Sequence, residues 1–110
     1  MSQYVLYHNP RCSKSRQALE ILRAAGIEPR IVEYLKTPPT VAELRRLGLP
    51  ARELVRTGED EYAQLNLATA SDAELLAAIA RHPILLQRPI VVRGDRAIIA
   101  RPPEKVRELL

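Results

Sequence analysis

The pattern of apolar and polar residues predicts a strand, a helix and a second strand in the first third of the chain. Runs at Gln3–Tyr7 and Arg30–Leu35 are typical of strands. Between them, from Ser13 to Ala25, apolar residues recur at helical spacing, and Gly26 is well placed to end that helix. A strand–helix–strand order requires a crossover connection, so it predicts that the two strands are parallel.

The middle of the chain is predicted to be helical. Two capping boxes, Thr40–Glu43 and Ser71–Glu74, each mark the start of a helix. Gly48 ends the first of these helices and Pro83 ends the second. Between them, Pro50–Arg56 is interpreted as a further short helix with proline near its start.

The last part of the chain predicts a hairpin followed by a helix. Ile90–Val92 and Ala97–Ala100 are strand-like and are separated by the turn-forming pair Gly94-Asp95. Pro102-Pro103 is expected to start a terminal helix through Leu110. The whole order predicts an α/β fold: a thioredoxin-like, mixed four-stranded sheet with a helical insertion between the second and third strands. We expect residues 1–110 to form one domain of this kind.

Composition narrows the function classes. The chain has 46% hydrophobic residues but no Trp or Phe, and its one cysteine excludes an internal disulfide, so we expect a reducing, cytoplasmic location. The N-terminus has no signal-peptide pattern and no apolar run approaches the length of a membrane span. The net charge of +4 is dispersed, without an aromatic platform for stacking bases, so neither nucleic acid nor membrane is an expected partner.

Cys12 is the candidate reactive group. It lies between the first predicted strand and the first predicted helix, where the helix dipole and free backbone N–H groups favour a thiolate. The nearby cations His8, Arg11, Lys14 and Arg16 favour it further. A lone cysteine is often only a small buried apolar residue, but polar neighbours make that reading less consistent with this chain.

Four sequence blocks, in this order along nearly the whole chain, resemble the glutaredoxin-coupled arsenate reductase family of bacteria. The blocks are Tyr7–Arg16 (YHNPRCSKSR), Arg52–Arg56 (RELVR), His82–Val92 (HPILLQRPIVV) and Arg101-Pro102. Within that family, the chain is similar to a shorter branch often named arsenate reductase by similarity. It ends at Leu110, and Ser13-Lys14 replaces a smaller neutral pair.

The resemblance implies that Cys12 is a catalytic nucleophile and that Arg56, Arg88 and Arg101 bind a tetrahedral oxyanion. Guanidinium groups suit this role because they donate bidentate hydrogen bonds to oxyanions and stay charged. The alternative for each arginine is a solvated surface charge or an ion pair with a nearby carboxylate.

Two further residues near the cysteine match the family. The residue equivalent to His8 helps to keep the thiolate charged, although a strand-end histidine satisfied by backbone remains an alternative. We expect Ser15 to hydrogen-bond the Cys12 sulfur, since residues three apart share one helix face, or else to be an ordinary first-turn serine. Thioredoxin-like folds also carry a cis-proline facing the active site, and Pro89 is the candidate here, although most X–Pro bonds are trans.

The reaction implied by the resemblance is reduction of arsenate to arsenite. One cysteine cannot form an internal disulfide, so an external thiol must take part, and the family uses glutathione as co-substrate and glutaredoxin as partner. No bound cofactor is expected. No metal site is predicted either, because His8, His82 and Cys12 lack the spacing of metal ligands.

Two other functions stay open at this point. The first is a general glutathione-dependent thiol reductase, in which the arginines bind the carboxylates of glutathione. The second is a transcriptional regulator of the Spx type, which shares the fold and binds RNA polymerase. Those regulators typically carry a Cys-x-x-Cys switch, and Ser15 at the fourth position counts against this reading.

Overall fold

The structure, a computed structural model, describes residues 3–110, and a four-stranded sheet lies at its centre. The strands are β1 (Tyr4–His8), β2 (Arg30–Glu33), β3 (Ile90–Arg93) and β4 (Arg96–Ile99). The α-helices are α1 (Ser13–Ala24), α2 (Val41–Arg46), α3 (Ala51–Leu54), α4 (Asp60–Gln64) and α5 (Asp72–Arg81). Short 3₁₀ segments span Leu67–Thr69, Pro83–Leu85 and Pro103–Leu109. Within this range, no helix is long and apolar enough to cross a membrane.

The strand order is β2-β1-β3-β4. β1 pairs in parallel with β2, as the crossover connection predicts, and pairs antiparallel with β3 on its other side. β3 and β4 form the predicted hairpin, and Gly94 takes a φ of 59° at the turn, a conformation that favours glycine. The predicted fold is confirmed: a thioredoxin-like mixed sheet with its helical insertion between the second and third strands.

Alternating side chains of the sheet pack into two apolar cores. Leu6 and its antiparallel partner Val91 face α1 and the C-terminal 3₁₀ segment, where Leu22 and Leu109 are also fully buried. The neighbouring positions along both strands contribute instead to the core beneath the helical insertion. The sheet is therefore covered on both faces, and only the ends of its strands are available to build a site.

Local signals in the sequence place the helix ends correctly. Both predicted capping boxes are present. The side chains of Thr40 and Ser71 accept hydrogen bonds from the backbone N–H of the third residue of α2 and α5, and the side chain of that third residue, a glutamate, accepts from the N-cap N–H. The C-terminus of α1 forms a Schellman motif, in which Gly26 has φ 79° and donates to the Arg23 carbonyl while Ile27 donates to the Leu22 carbonyl.

Other boundaries differ from those predicted. The helix expected over Pro50–Arg56 ends at Leu54, because Val55 is extended (φ −92°, ψ 137°) and forms an isolated bridge with Leu86. Arg56 therefore follows a bridge rather than lying on a helix, which corrects the prediction. The predicted terminal helix is a 3₁₀ segment. Helix α4 is absent from the prediction, because a helix of 5 residues shows too little hydrophobic periodicity.

Replacing Leu22 tests the core between α1 and the sheet. Leu22→Ala leaves a cavity at a fully buried position, so we expect a loss of about 2–5 kcal/mol in the free energy of unfolding. Leu19→Ala on the same helix is the matched control, because Leu19 is only partly buried and its loss should be smaller. Urea unfolding followed by circular dichroism measures both, and equal losses would contradict this description of the core.

Candidate active site

The register of the sheet brings distant parts of the chain to the end of β1. Tyr7 near the end of β1 pairs with Ile90 at the start of β3, and Ile90 pairs with Ile99 at the end of β4. Arg88 lies two residues before Ile90, and Arg101 lies two residues after Ile99. Both arginines therefore reach the end of the sheet from which the Cys12 loop leaves β1.

Arg56 reaches the same place through the bridge between Val55 and Leu86. The Arg56 N–H donates to the Leu85 carbonyl at 2.7 Å, and the Gln87 N–H donates to the Leu54 carbonyl at 2.7 Å. This pairing holds Arg56 beside the segment that leads into Arg88. The three arginines predicted from the sequence are thus brought together by backbone pairing.

Asn9 organises the loop that carries the cysteine. Its carbonyl accepts from the Cys12 N–H at 2.9 Å, and its side-chain oxygen accepts from the Arg11 N–H at 3.0 Å. Arg16 on α1 donates to the Pro10 carbonyl at 2.9 Å and ties the loop to the helix. Cys12 takes an extended conformation as the N-cap of α1 and is partly exposed, so its thiol is accessible to reagents.

The surroundings of the Cys12 sulfur lower the pKa of the thiol. Partial burial raises the pKa, but the backbone N–H of Ser15, the guanidinium of Arg88 and the N–H of Lys14 together outweigh it. Helix α1 has no side-chain cap hydrogen bond of its own, which leaves these N–H groups free to interact with the sulfur. The expected activated thiol is therefore supported, and its guanidinium partner comes from the far end of the chain.

Ser15 and His8 form a buried pair behind the cysteine. The Ser15 hydroxyl lies 2.5 Å from Nδ1 of His8 and accepts from the Asn9 N–H at 3.1 Å, so the hydroxyl is engaged there. The backbone N–H of Ser15 is what lowers the pKa of the Cys12 thiol, while its side chain, expected from helical spacing to bond the sulfur, contacts His8 and Asn9. Burial lowers the pKa of His8, an effect that Glu33 partly offsets, and the lowered pKa favours a neutral imidazole.

The three arginines form a cluster of positive charge that the Arg56–Glu59 ion pair neutralises only in part. The Nε atoms of Arg56 and Arg88 are buried and have no hydrogen-bond partner among residues 3–110. Glu59 is the acidic neighbour of Arg56, but its Oε2 lies 3.9 Å from Nε, beyond hydrogen-bond distance. Burial lowers the pKa of Arg56, and repulsion from Arg88 and Arg101 lowers it further. Buried N–H donors without a hydrogen-bond partner are suited to bind a small oxyanion.

The two segments that carry Arg88 and Arg101 lie against each other. The Arg88–Pro89 bond is cis, as the resemblance implied, and the Arg101–Pro102 bond is also cis, which was not predicted. The Ala100 N–H donates to the Pro89 carbonyl at 2.9 Å, and the Arg101 guanidinium donates to the Arg88 carbonyl at 3.0 Å. The segments are therefore held against each other.

Three residues of the site were not predicted from the sequence. Asn9 precedes a proline, which is a recognisable turn signal. Glu59 lies only three residues after Arg56, so the ion-pair alternative for that arginine already pointed to such a neighbour. Tyr34 carries no such signal, because only the fold brings it to the loop at Asn9.

A nucleophilic sulfur beside several guanidinium groups can attack the central atom of a bound oxyanion, since the cations neutralise the charge that would repel the thiolate. No three His, Cys, Asp or Glu side chains within residues 3–110 are grouped so as to hold a metal ion.

Arg88→Gln tests whether this guanidinium activates the thiol. We expect the pKa of Cys12, measured from the pH dependence of iodoacetamide alkylation, to lie below that of a free thiol in the wild type and to rise in the variant. Arg96→Gln, which makes the same change at the exposed β-hairpin, is the matched control. An equal thiol pKa in all three proteins would contradict a role of Arg88 in activating the sulfur.

Comparison with known proteins agrees with this geometry. The sequence profile of the ArsC family matches residues 7–109. An uncharacterized protein YfgD of Escherichia coli K12 is 50% identical over 98% of this chain and 97% of its own length. An arsenate reductase of Haemophilus influenzae is 46% identical over 96% of this chain and 97% of its own length.

Solved structures show the same relationship. An arsenate reductase from Vibrio cholerae superposes with a TM-score of 0.92 at 48% sequence identity, covering 97% of each chain. The family match extends across β1, the helical insertion and the hairpin, and it includes Cys12 and all three arginines. The family profile, the similar sequences and the shared thioredoxin-like fold together show that this chain belongs to the ArsC family.

Proposed function

We propose that this protein is a glutathione- and glutaredoxin-dependent oxidoreductase that reduces arsenate to arsenite. In this proposal Cys12 is the nucleophile, and Arg56, Arg88 and Arg101 bind the oxyanion. The observation that carries it is the pair of buried, unpartnered arginine Nε atoms beside a cysteine whose pKa is lowered. A relative that is 46% identical bears the name arsenate reductase, which supports arsenate as the oxyanion.

The first step forms a covalent adduct. The Cys12 thiolate attacks arsenic, an S–As bond forms, and one As–O bond breaks with its oxygen leaving as water after protonation. The arginines stabilise the negative charge on the remaining oxygens. The backbone N–H of Ser15 lowers the pKa of the Cys12 thiol, and His8 holds the Ser15 hydroxyl by a hydrogen bond. We therefore assign Ser15 and His8 a positioning role that keeps the thiolate charged.

Two external thiols complete the cycle. A glutathione thiolate attacks the Cys12 sulfur, and the S–As bond breaks with its electron pair remaining on arsenic. As(V) thereby becomes As(III), and Cys12 becomes part of a mixed disulfide with glutathione. A glutaredoxin thiol then attacks the glutathione sulfur and releases the Cys12 thiolate. The chain has one cysteine, which is consistent with this requirement, and a reducing cytoplasm would keep it as a thiol.

Cys12→Ser tests the nucleophile and the substrate together. Purified protein is supplied with arsenate, glutathione, glutaredoxin, glutathione reductase and NADPH, and NADPH oxidation is followed by absorbance. We expect arsenate-dependent oxidation with the wild type and background rates with the variant, because a serine hydroxyl at neutral pH does not supply the nucleophilic anion. Circular dichroism spectra that match would show that the variant is folded.

Two other results would assign a different function. If the wild-type protein does not reduce arsenate but does reduce a glutathione mixed disulfide, it is a general thiol reductase. In that case the arginines bind the carboxylates of glutathione. A Cys12→Ser variant with normal arsenate turnover would refute the mechanism.

Glu59→Gln tests whether the oxyanion competes with a carboxylate for Arg56. Because Glu59 lies 3.9 Å from Arg56 Nε, removal of its charge should strengthen binding of an anion at that guanidinium. We expect the KM for arsenate to fall about twofold to fivefold with little change in kcat, as is typical of a partly exposed ion pair. Asp60→Asn changes the net charge equally at the neighbouring exposed position and serves as the control. An unchanged or higher KM in Glu59→Gln alone would contradict this competition.

A further inference from the structure

The hydroxyl of Tyr34 is a buried donor without an acceptor. Tyr34 directly follows β2, and its side chain is fully buried. Among residues 3–110 its hydroxyl has no hydrogen-bond partner, and it shares this property with the Nε atoms of Arg56 and Arg88. A buried hydroxyl without a partner destabilises a folded protein, so its presence at this position calls for an acceptor that binds from outside.

The surroundings of the hydroxyl place it at the active site. Burial raises the pKa of Tyr34, and the next largest influences are Arg88 and the side chain of Asn9, both of which lower it. Cys12 and Arg56 also interact electrostatically with the phenol. The Asn9 side chain lowers the pKa of the phenol, which is the effect of a group that donates toward the phenol oxygen and not of an acceptor for its O–H. The phenol O–H is left without an acceptor.

The charges around Tyr34 indicate what that acceptor is. The neighbours of the phenol include two guanidinium groups, and a carboxylate is not among its main influences. A small oxyanion attracted by the guanidinium groups would bring its oxygens to the phenol. A neutral O–H adds a hydrogen bond to this anion without adding to the repulsion that already exists between Arg56 and its two arginine neighbours.

We propose that Tyr34 is a fourth oxyanion-binding residue, whose hydroxyl donates a hydrogen bond to an oxygen of the tetrahedral anion bound by Arg56, Arg88 and Arg101. The proposal rests on the proposed function only in placing an oxyanion at the arginines. It does not require that the anion be reduced. No bond is formed or broken by Tyr34, which stays protonated near neutral pH because burial disfavours the phenolate.

Tyr34→Phe removes the hydroxyl and keeps the ring. The measurement is protection of Cys12 from iodoacetamide by inorganic phosphate and, separately, by arsenate. We expect the half-protecting concentration of each anion to rise about tenfold to a hundredfold, as for loss of a hydrogen bond to a charged acceptor. Without anion, the melting temperature should be unchanged or higher, since an unsatisfied buried group has been removed. Tyr62→Phe, the same change at a partly buried tyrosine whose hydroxyl contacts Arg52, should leave protection unchanged.

A second measurement keeps the test valid if the variant does not fold. Wild-type protein is labelled at tyrosine ¹³Cζ, which gives four resonances for the four tyrosines. Saturating phosphate should shift the Tyr34 resonance, assigned by substitution of the other tyrosines, because its hydroxyl gains an acceptor. An unmoved resonance, unchanged protection in a folded Tyr34→Phe variant, or wild-type protein that no oxyanion protects would each overturn the proposal.

These outcomes separate the role of Tyr34 from the overall function. If arsenate protects Cys12 in a Tyr34-dependent manner but is not reduced in the coupled assay, the proposed function fails and the fourth binding group stands. If arsenate is reduced while Tyr34→Phe binds anions as well as the wild type does, the function stands and the role of Tyr34 is refuted.

Discussion

The pairing of β1 with strands on both sides is the constraint on which the rest of the structure depends. The parallel pair with β2 forces the chain through α1, which places the start of that helix, and therefore Cys12, beyond the end of β1. The antiparallel pair with β3 brings the segment containing Arg88 to the same end. β4 continues the ladder and delivers Arg101 there. The backbone hydrogen bonds of the sheet thus bring the residues of the candidate site together.

Holding three guanidinium groups together has an electrostatic cost. Burial and repulsion between the arginines both act against the charged form of Arg56, and the Nε donors of Arg56 and Arg88 remain unsatisfied. The thiolate and Glu59 offset part of the positive charge, but Glu59 lies too far from Arg56 Nε to hydrogen-bond. Structures retain arrangements of this kind where a ligand relieves them. An anion bound at the arginines, as proposed, would relieve part of this electrostatic cost.

Much of the fold follows from local signals. The capping boxes at Thr40 and Ser71, the Schellman glycine after α1 and the hairpin at Gly94 are determined by residues within a few positions of one another. Predictions failed where a long-range contact overrides local preference. Val55 leaves the helical conformation to pair with Leu86, so the position of Arg56 depends on a segment 30 residues further along the chain.

The chemical groups of the candidate site are recognisable in the sequence: a cysteine at a helix start, and three arginines whose blocks resemble one family. How these groups meet depends on the tertiary structure. It engaged the Ser15 hydroxyl with His8, brought Arg88 close enough to lower the pKa of the thiol, and placed Tyr34 beside the arginines. The difference arises from how far apart in the sequence the contacting residues are. Periodicity and capping express contacts within a turn or a hairpin, whereas a binding site is made from contacts between segments that only sheet register brings together.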